Sequence, residues 1–224
     1  MSHRDPESSI GGTVRELLET AVFILLVFFI FRGVVQNFRI EGSSMEPNLH
    51  DRQFIWVNKL IYFHFDANAP LRAVPGQSDT APQLVYPLQM PKRGDVVVLA
   101  PPAGDTQGER EDYIKRVIGL PGETIQVKDG LVYIDGKPLS ESKDDGGYLT
   151  ETTDCYGGRL CEPYSIPPGQ VVVLGDHRNN SRDARTWSGE PGLPLDQIVG
   201  KAWLIYWPQA SWGIIGSPTY AETP

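Results

Sequence analysis

Between residues 17 and 35 the chain carries two charges, Glu19 and Arg32, one near each end. At 1.5 Å per residue such a stretch is roughly 28 Å long as a helix, enough to cross a bilayer once. A helix this apolar on every face needs either lipid or a large protein around it, and this chain is small. Its core, residues 21–31, is also as long as the apolar part of a cleaved export signal. The residues that follow, Arg32, Gly33, Val34, Val35, Gln36 and Asn37, offer no small-x-small cleavage site. Residues 17–37 are therefore expected to persist as a membrane anchor behind a short tail, 1–16.

Charge does not orient that anchor, because Arg4 and Arg15 precede it while Arg32, Arg39, Arg52 and Lys59 follow it. The cysteines bear on the question. Cys155 and Cys161 flank a Gly-Gly turn, and a disulfide between them suits an oxidising, extracytoplasmic compartment; two free thiols are the alternative. His3, His50, His64 and His177 are scattered without a metal-ligand spacing, so no metal or other cofactor is expected. A net charge of -8 disfavours nucleic acid as a partner, and no Lys/Arg cluster flanks the span in sequence. Contact with the lipid bilayer is accordingly expected to be apolar.

About 190 residues follow the anchor, enough for one sizeable core. They read as short β-rich runs between Gly and Pro: 38–42, 53–58, 95–99, 113–118, 124–127, 131–134, 171–174 and 199–207. This is a mainly β pattern, and Asp129-Gly130 marks a hairpin. The expected domain is 38–216, with a Pro- and Gln-rich loop insertion at 64–91, an irregular lobe at 137–168 holding the cysteines, and a tail at 217–224. Strand 199–207 is expected to pack into the core. Trp212 to Ile215, beyond it, suit the aromatic belt at a membrane surface.

Ser44 follows the span by a few residues. A serine is a nucleophile only with a base beside it and a donor for an oxyanion. Lys115 lies in Asp112-Tyr113-Ile114-Lys115-Arg116-Val117-Ile118-Gly119-Leu120-Pro121-Gly122, whose apolar and β-branched residues place it on a buried strand. A lysine base requires that burial, because desolvation lowers its pKa from about 10.4. A third segment, Gly175-Asp176-His177-Arg178-Asn179-Asn180-Ser181-Arg182-Asp183-Ala184-Arg185, completes the set. In this order after an N-terminal anchor, the Ser44-Met45-Glu46-Pro47, Lys115 and Gly175-Asp176 segments together resemble type I signal peptidases, from the anchor to about Trp207.

The resemblance implies a fold of coiled antiparallel β-sheets and a membrane-anchored serine endopeptidase that removes signal peptides from exported precursors after small-x-small sites. It makes Ser44 the nucleophile, with its backbone N–H in the oxyanion hole, and Lys115 the general base. Ser181 is expected to hydrogen-bond and aim Lys115. Asp183 and Arg185 form a structural pair, and Asp176 steadies the same loop through Arg116. Met45 fills the floor of the site, and Pro47 fixes φ beyond the nucleophile. Substrate adds as a strand between 38–42 and 112–115, touching Gly42 and Asp112, with Phe38, Ile40, Met45, Leu49, Tyr113 and Ile114 as walls. The enzyme is expected to be monomeric, single-pass in the plasma membrane, with its catalytic domain outside the cytoplasm.

The chain departs from the family pattern at three places. Gly42 stands where some members have a serine whose hydroxyl completes the oxyanion hole, His177 replaces the usual asparagine, and Ala184 the usual serine. His177 raises a rival, an Asp-His-Ser triad, although Asp176 is awkwardly placed to orient its own neighbour. Two other functions compete. A self-cleaving Ser/Lys regulatory protease is disfavoured by the span and by the absence of a DNA-binding segment. A catalytically inactive, membrane-tethered β domain that binds a partner is disfavoured by the complete Ser44, Lys115 and Ser181 set. The tripeptide Arg93-Gly94-Asp95, though it spells an adhesion motif, reads as the turn into a strand.

Overall fold

The computed structural model describes residues 7–72, 74, 83–102, 112–143, 147–218 and 220. Helix α1 (Glu7–Val34) is continuous over 28 residues. Within Gly12–Val34 a window of 18 residues has mean hydropathy 2.3, and none of that window is buried by protein. Among the described residues α1 is the one helix long and apolar enough to cross a membrane. The helix starts well before residue 17, so residues 7–16 of the expected tail are helical. It stops at Val34, earlier than 37. Gly33 weakens the last turn, and Val35 onward finds a better partner as strand.

That strand, β1 (Val35–Arg39), pairs antiparallel with β2 (Phe54–Asn58), Val35 opposite Asn58 and Phe38 opposite Ile55. The other strands are β3 (Phe65–Asp66), β4 (Leu84–Val85), β5 (Val96–Leu99), β6 (Tyr113–Gly119), β7 (Thr124–Lys128), β8 (Leu131–Ile134), β9 (Lys137–Pro138), β10 (Tyr164–Ser165), β11 (Gln170–Leu174), β12 (Leu193–Pro194), β13 (Ile198–Trp207) and β14 (Gly213–Ile214). The large sheet runs β1-β2-β13-β5-β6-β11-β12, with β14 added to β13. A smaller sheet, β10-β7-β8-β9, carries the hairpin at Asp129-Gly130, and the named strands, among the described residues, all pair antiparallel. Register shifts in β13 against both β2 and β5 bend the large sheet.

One core lies between the sheets, built on Val97, Leu99, Val117, Ile125, Val132, Val171 and Val173. A second gathers Ile40, Met45, Leu49, Ile55, Val57, Val96, Val98, Ala202 and Ile215 on the other face. Apolar contact on both faces explains why β6 is buried without interruption from Lys115 to Gly119. In the 64–91 region β3 pairs with β4, and a short helix, Ala69–Arg72, follows β3. The described part is therefore folded; residues 73 and 75–82 lie outside the described set. The tail also differs from expectation. Ser217 Oγ donates to Asp95 Oδ1 at 2.7 Å, and Pro218 and Tyr220 close on Gly94, whose φ of +91° suits glycine.

Strand β13 contributes Ala202 to the second core, while Trp203 and Tyr206 are half-buried and lie near Trp56 at ring-centroid distances of 6.0 and 5.4 Å. Trp212 and Ile214 are exposed. In the lobe, Cys155 and Cys161 form a disulfide. With only these cysteines in the chain, a reductant acts on this bond alone. For so short a loop the entropic account gives about 2 kcal/mol. The reduced protein in detergent is expected to melt a few degrees below the oxidised protein, as is Cys155→Ser/Cys161→Ser, measured by thermal unfolding.

Candidate active site

Between β1 and β2 the chain leaves the sheet and returns. Ile40 N–H donates to Gln53 O at 2.8 Å and Arg52 N–H to Ile40 O at 2.9 Å, which closes the base of this loop. Gly42 sits at φ +86°, a conformation that strains an L-residue, which accounts for glycine there. Its N–H donates to Asp51 Oδ1 at 3.0 Å. Residues 44–48 then form a turn, in which Leu49 N–H donates to Met45 O at 2.9 Å. The turn anchors through Met45 and Leu49, which are 1% and 2% exposed in the second core. Ser44, between them and the surface, is half-buried.

Alternation on β6 sends Lys115 and Arg116 to opposite faces. Lys115 is 4% exposed, and its Nζ lies 2.8 Å from Ser44 Oγ and 2.9 Å from Ile114 O. The Tyr113 ring centroid is 5.3 Å away. An amine held against a serine hydroxyl by burial and a fixed carbonyl is placed to exchange a proton with it. Arg116, on the other face, donates to both Asp176 oxygens at 2.8 and 2.6 Å and to Gly94 O at 2.7 Å. Burial opposes its charge, but the Asp176 carboxylate outweighs that and raises the Arg116 pKa.

Asp176 opens the loop that holds the Ser44 turn from outside. Asn48 Nδ2 donates to Asp176 Oδ2 at 3.0 Å, His177 N–H to Ser44 O at 3.0 Å, and Asn180 Nδ2 to Ser43 Oγ at 2.9 Å. Gly175 permits this approach, since a Cβ there would lie 2.5 Å from Ser44 O and 2.1 Å from Ser181 Oγ. His177 Nδ1 is 3.1 Å from Ser43 O, so the ring is bonded to the backbone just before Ser44. This differs from the triad alternative, in which the ring would face the Ser44 hydroxyl.

Ser181 sits against Gly175 in the same loop. Its Oγ is buried and has no well-aligned hydrogen-bond partner, although it lies close enough to Asp183 to help keep that carboxyl ionised. Lys115 Nζ, for its part, donates to Ile114 O and Ser44 Oγ. Asp183 accepts from Gly175 N–H at 2.9 Å and from Arg185 Nε and Nη2 at 2.9 and 2.8 Å. A further network, absent from the sequence reading, surrounds the fully buried Arg178. It donates to Glu141 at 2.9 and 2.7 Å, to Thr153 Oγ1 at 2.7 Å and to Gly175 O at 3.0 Å. Glu141 lies 37 positions away in an irregular stretch, which no local pattern links to Arg178.

An open cleft of about 390 Å3 meets Ser44 and Lys115. Phe38, Ile40, Asp112, Tyr113 and Ile114 line it, as do Arg39, Glu41, Ile55, Val98 and Arg182, which the sequence reading did not include. Gly42, Met45 and Leu49 are not in its lining; the last two face the core instead. Partial desolvation raises the Asp112 carboxyl. Among the described residues, no group of three or more His, Cys, Asp or Glu is placed to hold a metal ion.

A serine on a tight turn, a buried amine against its hydroxyl and an open cleft lined by β1 and the start of β6 define the class of Ser/Lys peptidases. The comparisons narrow this. Residues 14–207 match the family described as signal peptidase, peptidase S26. A probable signal peptidase I-1 of Synechocystis is 39% identical over 213 residues, covering 92% of this chain and 89% of that protein. A signal peptidase I of Leptolyngbya laminosa is 38% identical over 198 residues, covering 87% and 80%. One of Bacillus amyloliquefaciens is 32% identical over 201 residues, covering 86% and 84%. The chain belongs to the signal peptidase family, peptidase S26.

Burial disfavours ionised Asp183, but the Arg185 hydrogen bonds and charge and the Gly175 N–H outweigh it and lower its pKa. A depressed carboxylate contributes stability that is complete above the unfolded value of about 3.9 and is lost as pH falls through the folded value. Urea unfolding in detergent should therefore show the Asp183 contribution constant from pH 8 to 5 and declining below about pH 4. Asp183→Asn leaves Arg185 buried without its partner, and is expected to cost about 3 kcal/mol at pH 7 and to flatten the acid decline.

Proposed function

We propose that this protein is a membrane-anchored endopeptidase that removes signal peptides from exported precursors, with Ser44 as nucleophile and Lys115 as general base. The 2.8 Å contact between Lys115 Nζ and Ser44 Oγ at the floor of an open cleft carries this reading. Neutral Lys115 takes the Ser44 proton as Oγ bonds to the scissile carbonyl carbon, and the carbonyl electrons move to oxygen. The Ser44 backbone N–H faces the resulting oxyanion. Collapse of that intermediate breaks the C–N bond, with the lysine ammonium returning its proton to the leaving amine. Water, deprotonated by Lys115, then hydrolyses the acyl-enzyme and regenerates Ser44. Gly42 N–H is engaged by Asp51, so a second oxyanion donor is not drawn from that position.

β1 and the Tyr113–Lys115 end of β6, beyond its pairing with β11, both line the cleft, and an extended precursor segment adds there as a strand. Phe38, Ile40, Tyr113 and Ile114 shape its apolar wall for small side chains, and Asp112 lies at its rim. Helix α1 anchors the protein by a single pass, leaving a short connection that keeps Ser44 near the lipid surface. The Cys155–Cys161 disulfide supports an extracytoplasmic β domain, and exposed Trp212 and Ile214 support contact with the bilayer. One chain supplies the whole site, in keeping with a monomer.

With a purified precursor bearing Ala-x-Ala, Ser44→Ala and Lys115→Met are each expected to lower kcat by at least about 10^4-fold. His177→Ala loses one backbone hydrogen bond and should stay within about tenfold of wild type. Substantial processing by the lysine variant would sink the dyad. Ile40→Ala, which opens the cleft wall, is expected to admit larger residues at the cleavage site. Unchanged site choice across a precursor series would count against that wall.

A further inference from the structure

A second concavity, of about 580 Å3, lies where the end of α1 meets the outer face of the large sheet. Phe28, Phe31, Arg32, Trp56, Lys59 and Tyr206 form most of its wall. Phe31 packs edge-on against Trp56 at 5.8 Å, and Trp56 lies 5.4 Å from Tyr206. Lys59 N–H donates to Val34 O at 2.9 Å, which seats the end of β2 on the end of the helix. Arg32 and Lys59, separated by 27 positions in the sequence, thus line one recess. That lining includes no carboxylate, in a chain whose net charge is -8.

The last carbonyls of a helix carry about half a negative charge, and two full cations outweigh it. Arg32 stands in the last turn of α1, and Phe28 and Phe31 precede it on the apolar segment. With α1 across a bilayer, the cations and the aromatic rings of Trp56 and Tyr206 stand at headgroup level and the phenyl rings among acyl chains. A volume of this size suits a headgroup and not a folded partner.

We propose that this recess binds the headgroup of one anionic phospholipid, its phosphodiester between Arg32 and Lys59 and an acyl chain along Phe28. This rests on α1 being a membrane anchor, as proposed above. The bound lipid would wedge the helix against the sheet and so hold the β domain at a set tilt. The membrane contact then has a cationic component that the linear spacing of the basic residues conceals.

The test uses the full chain in vesicles of phosphatidylcholine containing about one-third phosphatidylglycerol, followed by gentle extraction and native mass spectrometry of retained lipid. Wild type is expected to retain phosphatidylglycerol over phosphatidylcholine by about tenfold relative to the vesicle ratio. Arg32→Gln/Lys59→Gln should retain the two in their vesicle ratio while still cleaving a soluble peptide substrate. Equal enrichment in both proteins, or none in wild type, overturns the site. Displacement of the lipid by millimolar inorganic phosphate would assign the recess to a free anion instead and also overturn it. Failure to float with vesicles at all would remove the anchor reading and the site together, whereas flotation without lipid preference removes the site alone.

Discussion

The site depends on the buried ion pair between Arg116 and Asp176. Lys115 and Arg116 are neighbours on one strand, so the pleat sends one toward the cleft and the other toward the loop behind Ser44. By holding Asp176, Arg116 ties the strand that carries the amine to the loop that holds Ser44 from outside. The Lys115–Ser44 distance is therefore set by backbone elements on two sides. Side-chain packing alone would leave a four-carbon lysine stem free to wander. Breaking such a pair strands a charge in the interior, which makes the geometry costly to lose.

Around this pair the loop is built from cations and carboxylates with little exposure. Arg178 meets Glu141, Arg185 meets Asp183, and each also satisfies a backbone carbonyl. These partners let a segment without regular secondary structure be buried beside Ser44 while its polar groups remain bonded. Gly175 completes the arrangement by admitting the Ser44 carbonyl and Ser181 at distances that any Cβ would forbid. The apolar interior plays a complementary part. Met45 and Leu49 anchor the Ser44 turn in the second core, and Lys115 is buried beside it on β6.

Much of this was legible in the chain. The apolar span, the β-rich runs, the Asp129-Gly130 hairpin and the residue types at 44, 115 and 175–185 are local patterns, each tied to a period, a turn preference or a motif. Pairings between distant positions were not. Met45 and Leu49 looked like cleft walls because apolar residues near a nucleophile can face either way, and burial sent them to the core. Ser181 was expected on Lys115, and nothing in its motif showed how closely it would sit against Gly175. Arg178 carried no sign of Glu141, and the tail after residue 216 carried no sign that Ser217 would bond Asp95.

The sequence by itself determined that this chain has a membrane-length helix, a β domain and a serine and lysine in signal-peptidase contexts, because those properties are written in composition, periodicity and short motifs. Only the tertiary structure decided which of the apolar residues line the cleft, what holds the lysine, and that Arg32 and Lys59 share one recess. Each of those outcomes depends on strands that are distant in sequence becoming adjacent. Adjacency is fixed by sheet register and by how the sheet bends, and no local pattern encodes it.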